Sequence, residues 1–318
     1  MLRLLSYNLE SLGERQGAPP LDARVAVLRP RLVGLAADVL CLQEIDGQRS
    51  HKGAPREPLA LTKVIERTAY ADFHLAATPG PAGHGISDRH NLVTLSRLPF
   101  AEARAVRHEF VAPPKLKAGR FDEIEAPFDR ALLYASVALA DGRRLHVINL
   151  HLRAPLAVPV VPRDGGHHPS VEAWAIGYQL AAMKRTAQAL EARLLVDRLL
   201  DQDADALIAV CGDLNATPLE VPARLLAAAP EDTGEPLLAD RRLVPLTDTV
   251  PAERRFSVRH YGSTLLVDHI LASTGLARLC RSVELHNQGL VDESAAEKMG
   301  AAFADSTHAP LVAVFDIE

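Results

Sequence analysis

The sequence is poor in cysteine and aromatic residues, and it lacks a long apolar stretch. Its 318 residues include 3 cysteines, and aromatic residues make up 4% of the chain. Cys41, Cys211 and Cys280 are too few and too scattered for a disulfide framework or a zinc site, so we expect buried free thiols. No stretch reaches the roughly 20 apolar residues of a membrane span, and the N-terminus shows no secretory pattern. We therefore expect a cytoplasmic protein.

The charge balance is slightly acidic, with 35 Lys+Arg against 40 Asp+Glu and a formal net charge of −5. This balance argues against a protein that grips nucleic acid through a broad positive field. It does not exclude an enzyme that acts on nucleic acid, because bound metal ions supply positive charge locally. Acidic residues directly follow the basic run over residues 115–120, and this pattern favours a solvated surface.

Short apolar runs of strand length recur along the chain, and turn residues bound most of them. They span residues 2–7, 39–43, 92–96, 132–139, 145–150, 207–211, 265–271 and 311–315. Three segments have helical spacing, over residues 22–35, 60–69 and 179–200. Asp22 is a candidate N-cap of the first helix, and Pro30 predicts a kink or a late start in it.

Many of these strands follow one another without an intervening helix. This order indicates an α+β protein with largely antiparallel sheets and helices on their outer faces. No repeat or low-complexity linker divides the chain, so we expect one domain over residues 1–318. Residues 78–90 and 153–170 predict long loops, which are usually functional or disordered in compact domains. Trp174 follows the second loop, and it either packs that loop onto the body or forms part of a binding wall.

The second of these loops also contains a histidine pair, His167 and His168. The pair is a candidate contact for metal or substrate, and a solvated loop pair is the favoured interpretation.

Polar side chains stand at the ends of several predicted strands, where the apolar pattern does not require them. The set is Asn8, Glu44, Asp213, Asn215, Asp268 and His308. Carboxylate and amide oxygens, with no cysteine among them, favour Mg²⁺ or Mn²⁺ over zinc. Taken singly, each residue has an ordinary alternative. Gly-Asp-x-Asn is a good turn sequence, and Glu44 is also explained as a solvent-facing strand end.

The order of the motifs resembles that of the endonuclease/exonuclease/phosphatase superfamily of DNase I-like phosphoesterases. The motifs are SYNLE, LCLQEID, HNLVTLSR, FDRALLYASV, HVINLHL, CGDLNATP, VDHIL and STHAP. The resemblance implies a four-layered α/β/β/α sandwich, in which two packed mixed β-sheets carry helices on the outside. It also implies divalent-metal-dependent hydrolysis of phosphate esters.

The resemblance further implies roles for the residues of the hydrolytic centre. Glu44 would be the principal metal carboxylate, with Asn8 as a neutral oxygen ligand or an orienting group. The cation would polarise the phosphate and neutralise developing charge. Asp213 would align and deprotonate the attacking water, helped by the amide of Asn215.

A second set of residues would contact the substrate. His308 would touch the scissile phosphate or donate a proton, and Asp268 would fix its tautomer and stabilise its charged form. His151 would assist the leaving group, and Arg130 would bind phosphate oxygens. Asn91 is a weaker candidate for a phosphate contact, because a loop asparagine explains it equally well.

One motif departs from the family pattern. The last motif usually reads Ser-Asp-His, whereas this chain has Ser306, Thr307 and His308. The carboxylate that helps to bind metal is therefore missing, and Asp305 would reach the site only with a shifted backbone. The number and affinity of metal ions are left open. The alternative is a non-catalytic scaffold that binds phosphoesters on the same fold.

The sequence gives less information on the substrate. The pair His151 and His308 favours a phosphodiesterase of nuclease type over a monoesterase. A phosphatase and a phospholipid or sphingomyelin phosphodiesterase are the alternatives, although no basic run suggests inositol phosphates and no apolar hairpin suggests a lipid dock. We expect the binding partner to be a phosphoester substrate. A nucleic acid is possible, but the net charge of the chain does not support it. We also expect a monomer without a protein partner.

Overall fold

The computed structural model describes residues 1–14, 17–81, 83–119, 121–160 and 170–317, so the pair His167 and His168 lies outside the described residues. The strands are β1 (Leu2–Leu12), β2 (Val39–Ile45), β3 (His74–Ala77), β4 (Asn91–Ser96), β5 (Phe100–Val106), β6 (Lys115–Leu116), β7 (Ile124–Glu125), β8 (Leu132–Ala138), β9 (Arg144–His151), β10 (Leu207–Asp213), β11 (Leu243–Pro245), β12 (Val258–His260), β13 (Ser263–Leu265), β14 (Asp268–Ser273), β15 (Cys280–Leu285) and β16 (Leu311–Phe315). The helices are α1 (Leu21–Leu35), α2 (Leu59–Ile65), α3 (Val171–Gln202), α4 (Val221–Ala227), α5 (Pro230–Thr233), α6 (Thr274–Ala277) and α7 (Glu293–Met299).

Most strands belong to two six-stranded sheets. Sheet 1 has the order β15-β16-β1-β2-β4-β3, and sheet 2 has the order β11-β14-β10-β9-β8-β5. The pairs β1–β2 and β9–β10 are parallel. The other pairs within the two sheets are antiparallel. The predicted mixed, largely antiparallel sheets are therefore confirmed.

The two sheets pack face to face, and helices cover their outer faces. Leu4 and Cys41 of sheet 1 meet Val147 and Cys211 of sheet 2 in the core between the sheets. Helices α1 and α2 pack on the outer face of sheet 1, and α3 and α4 pack on that of sheet 2. This arrangement confirms the predicted four-layered sandwich. Cys41 and Cys211 are buried free thiols, and Cys280 is half-buried.

The apolar runs of the sequence predict the interior strands of both sheets. Each run overlaps one of β1, β2, β4, β8, β9, β10, β14 and β16. The edge strands β3, β5, β11 and β15 were not predicted. Strands β3 and β11 have four and three residues, and β5 and β15 mix half-buried and exposed residues with few buried ones, so they form no apolar run. The run over residues 265–271 is corrected. It covers the end of β13, which pairs with β12 in a separate hairpin, and the start of β14.

Two helices begin at positions that differ from the prediction. Pro20 is the N-cap of α1, so Asp22 lies in the first turn and not at the cap. Pro30 lies inside α1 and does not delay its start. Helix α3 begins well before residue 179, because Ser170 caps it by accepting a hydrogen bond from the backbone N–H of Ala173. In the described ranges, no helix combines the length and apolar character needed to cross a lipid bilayer.

Candidate functional site

The register of sheet 2 aligns three of the predicted site residues in one row. Asp213 ends β10 and is paired with His151 on β9 and with Asp268 on β14. His308 precedes β16 of sheet 1, and its Nδ1 lies 2.8 Å from Oδ2 of Asp268. The row therefore lies at the end of the sandwich where both sheets contribute side chains.

Gly212 allows β9 and β10 to approach each other closely beside this row. Its φ is +140°, and a Cβ at this position would lie 1.8 Å from the carbonyl oxygen of Leu150. Any larger residue would push the two strands apart and displace Asp213. Steric exclusion of a Cβ atom thus explains why the CGDLN motif has glycine at this position.

Sheet 1 contributes Asn8 and Glu44 through an irregular end of the β1–β2 pair. The register shifts after Asn8, and Glu44 has a φ of +60°, as a bulge that redirects a side chain requires. Asn8 Nδ2 donates to Glu44 Oε1 at 3.3 Å and to Asp213 Oδ2 at 3.1 Å. Its oxygen accepts from the backbone N–H of Glu10 at 2.8 Å. This geometry is that of an orienting group, and the amide oxygen is engaged elsewhere.

Asp213 is buried among hydrogen-bond donors. Its Oδ1 accepts from the backbone N–H of Asn215 at 2.8 Å, and its Oδ2 accepts from Nδ2 of Asn215 at 3.3 Å. Burial, followed by the negative charge of Asp268, raises the pKa of Asp213 to about 7. A carboxyl with this pKa both takes up and releases a proton near neutral pH, which is the property of a general base.

His308 is held in its charged form by Asp268. Burial alone would lower the pKa of His308, but the charge of Asp268 and the hydrogen bond to it raise the pKa well above its usual value. The charges of Asp213 and Glu44 act in the same direction. Nε2 of His308 has no hydrogen-bond partner among the described residues, so its proton is available to a ligand.

Arg130 fixes the tautomer of His151. Arg130 Nη1 donates to His151 Nδ1 at 2.6 Å, and because a guanidinium is a donor only, the proton of the neutral ring lies on Nε2. Nε2 is 3.4 Å from Asp213 Oδ2 and 3.7 Å from Glu44 Oε1. Burial and then the charge of Arg130 lower the pKa of His151 well below its usual value. His151 is therefore a neutral donor that faces two carboxylates.

Glu44 is an ionised carboxylate with a defined orientation. The backbone N–H and the hydroxyl of Ser11 donate to its Oε2 at 2.9 and 3.0 Å. Burial raises the pKa of Glu44, but His151, His90 and His308 outweigh burial and lower it to about 2. An ionised and oriented carboxylate is suited to hold a cation.

Two groups of side chains in the described ranges bring potential metal-ligand atoms within 4.8 Å of one another. The groups are Glu44 with His90 and His151, and Asp213 with Asp268 and His308. The second group contains a protonated imidazole, which is a poor metal ligand because its lone pairs are occupied. The first group is therefore the better candidate for a metal centre.

Asn91 is not brought into the site, contrary to its predicted phosphate contact. Its side chain is 2% exposed. Its Nδ2 donates to the carbonyls of Ile45 and Ser87, and its Oδ1 accepts from the N–H of Ser87. All of its polar atoms therefore fix the preceding loop to β2, which is the role of a loop asparagine.

The missing carboxylate at Thr307 is not replaced by Asp305. Asp305 forms an ion pair with Arg31 at 2.6 Å. The backbone N–H of Thr307 donates to Oε2 of Glu10 at 2.8 Å. Glu10 thus links the end of β1 to the segment that carries His308.

Three residues near the centre were not predicted from the sequence: Ser11, Glu10 and His90. Ser11 and Glu10 directly follow the SYNL segment, and both have positive φ values in an irregular strand end. His90 directly precedes Asn91, and its Nδ1 lies 3.7 Å from Glu44 Oε2. Glu10 and His90 lie inside the motifs SYNLE and HNLVTLSR, and Ser11 directly follows the first of them. The available signal was therefore the motif, which does not tell which of its residues faces the site.

Comparison with known proteins identifies relatives at the level of family and fold. The model of the Endonuclease/Exonuclease/phosphatase family matches residues 5–290. A search of curated proteins finds no match. The structure is similar to the 3' phosphatase NExo from Neisseria bound to product DNA hairpin (TM-score 0.55, 17% identity, 99% of this chain and 100% of that chain). It is also similar to an AP endonuclease from Archaeoglobus fulgidus (TM-score 0.52, 17% identity, 100% of this chain and 100% of that chain). A third similar structure is the human Nocturnin catalytic domain (TM-score 0.57, 15% identity, 100% of this chain and 94% of that chain).

Proposed function

Because the chain belongs to the Endonuclease/Exonuclease/phosphatase family, and is thus a phosphoester hydrolase, we propose that it is a divalent-metal-dependent phosphodiesterase of nuclease type. The observation that carries the proposal is the pair Asp213 and His308. Burial brings the pKa of Asp213 to about 7, and Asp268 keeps His308 protonated. Two neighbouring groups with such displaced pKa values supply a base and an acid at the same pH.

The proposed reaction uses Asp213 as the base and His308 as the acid. A water oxygen attacks phosphorus while Asp213 accepts a proton from that water, and Asn8 and Asn215 keep the carboxylate oriented. The bond from phosphorus to the leaving oxygen breaks, and this oxygen takes the Nε2 proton of His308. Exchange with solvent then removes the proton from Asp213 and returns one to His308.

Arg130 and His151 are donors for the non-bridging phosphate oxygens. Arg130 donates one N–H to His151 Nδ1, and its other N–H groups have no side-chain partner among the described residues. Nε2–H of His151 provides a neutral donor beside Asp213. Charge-assisted hydrogen bonds from a guanidinium favour an anionic ester, because they strengthen as charge develops on its oxygens.

The donor set at Glu44 fits a divalent cation. Glu44 lies 3.7 Å from both His90 Nδ1 and His151 Nε2, and ligand atoms that share one ion at about 2.1 Å are about 3–4 Å apart. His151 would have to give up its hydrogen bond from Arg130 to expose a lone pair, so we infer that Glu44 and His90 are the ligands. A divalent cation there would neutralise charge on the phosphate.

We expect the imidazole of His90 to favour Mn²⁺ over Mg²⁺. Imidazole suits transition ions, whereas Mg²⁺ prefers oxygen ligands. In isothermal titration calorimetry, His90→Asn should weaken Mn²⁺ binding about tenfold or more and Mg²⁺ binding much less. His84→Asn, a change in the same loop outside the centre, is the matched control. Unchanged Mn²⁺ binding in His90→Asn would show that His90 is not a ligand, and an equal loss for both ions would show that His90 does not select between them.

A substrate panel tests the proposed function. Purified protein is given plasmid and single-stranded DNA, RNA, sphingomyelin, phosphoinositides and a bis-aryl phosphate, with Mn²⁺, Mg²⁺ or EDTA. We expect turnover of a phosphodiester that falls at least about a hundredfold in EDTA and in Glu44→Gln. The Glu44→Gln protein, purified identically, controls for a contaminating nuclease. The proposal is wrong if no diester is hydrolysed with either ion, or if EDTA leaves turnover unchanged.

A further inference from the structure

Helix α3 is much longer than the strands it covers. Its 32 residues span about 48 Å, whereas the seven residues of β10 span about 23 Å. Its C-terminal part, which includes Ala189, Leu195 and Leu199, packs on sheet 2. Because α3 precedes β10 and runs back along it, its N-terminal part extends beyond the end of the sheet that carries Asp213.

This overhanging part passes directly beside the catalytic centre. Arg185 Nη1 donates to the backbone carbonyl of Asn215 at 2.6 Å. Gln188 accepts from the N–H of Arg153 and donates to the carbonyl of Arg130. The turns of α3 that precede Arg185 are held by a separate small cluster, in which Ile176 and Leu180 pack on Phe121.

The overhang carries an exposed aromatic pair, Trp174 and Tyr178. Their rings are stacked with centroids 5.4 Å apart and an interplanar angle of 28°. Trp174 is 57% exposed and Tyr178 is 43% exposed. Trp174 is the single tryptophan of a chain with 4% aromatic residues. The pair adds nothing to the core, so its large apolar surface is available to a ligand.

The pair lies on the same face of α3 as Arg185, which contacts the catalytic centre. At 3.6 residues per turn, Trp174, Tyr178 and Arg185 lie within about 40° of one another on one helix face. Tyr178 lies about 10 Å from Arg185 along the axis, and Trp174 about 16 Å. A linear ligand that is cleaved beside Asn215 would therefore cross both rings a few monomer units away.

The charges beside this face suit a polyanion, in contrast to the whole chain. Residues 173–190 of α3 include no aspartate or glutamate, and Lys184 and Arg185 are basic. Nearer the centre, Asp129 pairs with Arg153 and Lys184, and Glu220 pairs with Arg185, while Glu44, Asp129 and Asp213 act on Arg130. The excess of basic residues therefore belongs to the helix face itself. Stacked aromatic rings next to basic residues are the combination that binds single-stranded nucleic acid. A lipid surface also takes up Trp and Tyr, but an interfacial helix buries a continuous apolar face, whereas the exposed residues beside the two rings are Ala175 and Gln179.

We propose that Trp174 and Tyr178 form a stacking platform for the bases of a single-stranded nucleic-acid segment that leads into the catalytic centre. This inference rests on the proposed phosphodiesterase function and names its substrate class. It also explains how a protein with a net charge of −5 engages a polyanion, since base stacking requires no broad positive field.

The single tryptophan makes binding measurable without turnover. Fluorescence of Trp174 is titrated with short oligothymidylate and oligouridylate in EDTA, so that the result does not depend on hydrolysis. We expect saturable quenching by at least one of the two, because stacking of a base on the indole changes its emission. Quenching by only one of them identifies DNA or RNA as the ligand. Phosphatidylserine vesicles form the lipid arm of the test.

Variants separate stacking from general binding. With a labelled oligonucleotide, Tyr178→Ala and Trp174→Ala should each weaken binding about tenfold. Leu237→Ala, which changes a residue that is 88% exposed near the far end of α3, should leave binding unchanged. The proposal is overturned if oligonucleotides bind without quenching and both aromatic variants bind normally. It is also overturned if only vesicles change the Trp174 emission.

A kinetic ratio completes the test. Under turnover conditions, Tyr178→Ala should lower kcat/KM for the oligonucleotide relative to that for the bis-aryl phosphate about tenfold, mainly through KM. An unchanged ratio would overturn the platform. Failure of the phosphodiesterase proposal is recognised separately, since it abolishes turnover but leaves the EDTA titration intact.

Discussion

Replacing Asp213 by asparagine is expected to lower kcat by about 10³-fold. Asn retains the shape of the side chain and one oxygen, so Asn215 still has an acceptor, but it cannot take the proton of the attacking water. The change is measured as steady-state turnover of the diester identified by the substrate panel. Retention of more than about a tenth of wild-type kcat would exclude Asp213 as the base.

The same substitution should stabilise the fold, which serves as its control. The folded-state pKa of Asp213 is about 7, above its ordinary value of 3.8. A raised pKa means that the stability present below pH 4 is lost as the pH rises through 7, because the buried carboxyl must then ionise. The asparagine of the Asp213→Asn variant does not ionise. We therefore expect the free energy of unfolding of the variant to exceed that of the wild type by an amount that grows with pH.

Chemical unfolding of both proteins in EDTA measures this advantage. We expect a gain on the order of 1–3 kcal/mol in the free energy of unfolding at pH 8 and little gain at pH 4. A loss of activity together with a gain of stability distinguishes a catalytic carboxyl from a structural one. A destabilised variant would instead indicate that Asp213 mainly holds Asn8 and Asn215 in position.

The sequence predicts the interior strands of the two sheets better than their edge strands. Each apolar run overlaps an interior strand, although the run over residues 265–271 also includes the end of the separate strand β13, because interior strands are buried on both faces and are mostly apolar. The edge strands expose one side, so β5 (Phe100–Val106) mixes polar and apolar residues and resembles a loop. Helix α3 was predicted from residue 179 onward, a range that includes the part packed on sheet 2. Its first turns lack that apolar face because they extend beyond the sheet.

The residues of the candidate site were also predicted only where a sequence pattern marks them. Asp213 and Asp268 were predicted because they follow or interrupt apolar runs, and His151 was predicted from the family resemblance. The register makes the three residues neighbours. The family predicted from the motif order is confirmed. His90 and Ser11 were missed, because they reach Glu44 through a loop and a bulge whose φ values no apolar pattern records.

Replacing Asp268 by asparagine should shift the whole pH profile to lower pH and reduce kcat by about 10²-fold or more. The charge of Asp268 raises the pKa of both Asp213 and His308. Removing it should lower the pKa of Asp213, so the acidic limb of activity moves down. It should also lower the pKa of His308, so the basic limb moves down as well. The profile of kcat/KM against pH measures both limbs.

Asp305→Asn is the matched control for this shift. Asp305 is close to His308 in sequence, but its carboxylate pairs with Arg31 and does not touch the imidazole. We expect both limbs of the Asp305→Asn profile to stay at the wild-type positions. If Asp268→Asn lowers kcat without moving either limb, Asp268 acts on the orientation of His308 alone. If only the basic limb moves, Asp268 controls the acid, and the pKa of Asp213 is then set by burial and not by its neighbour in the row.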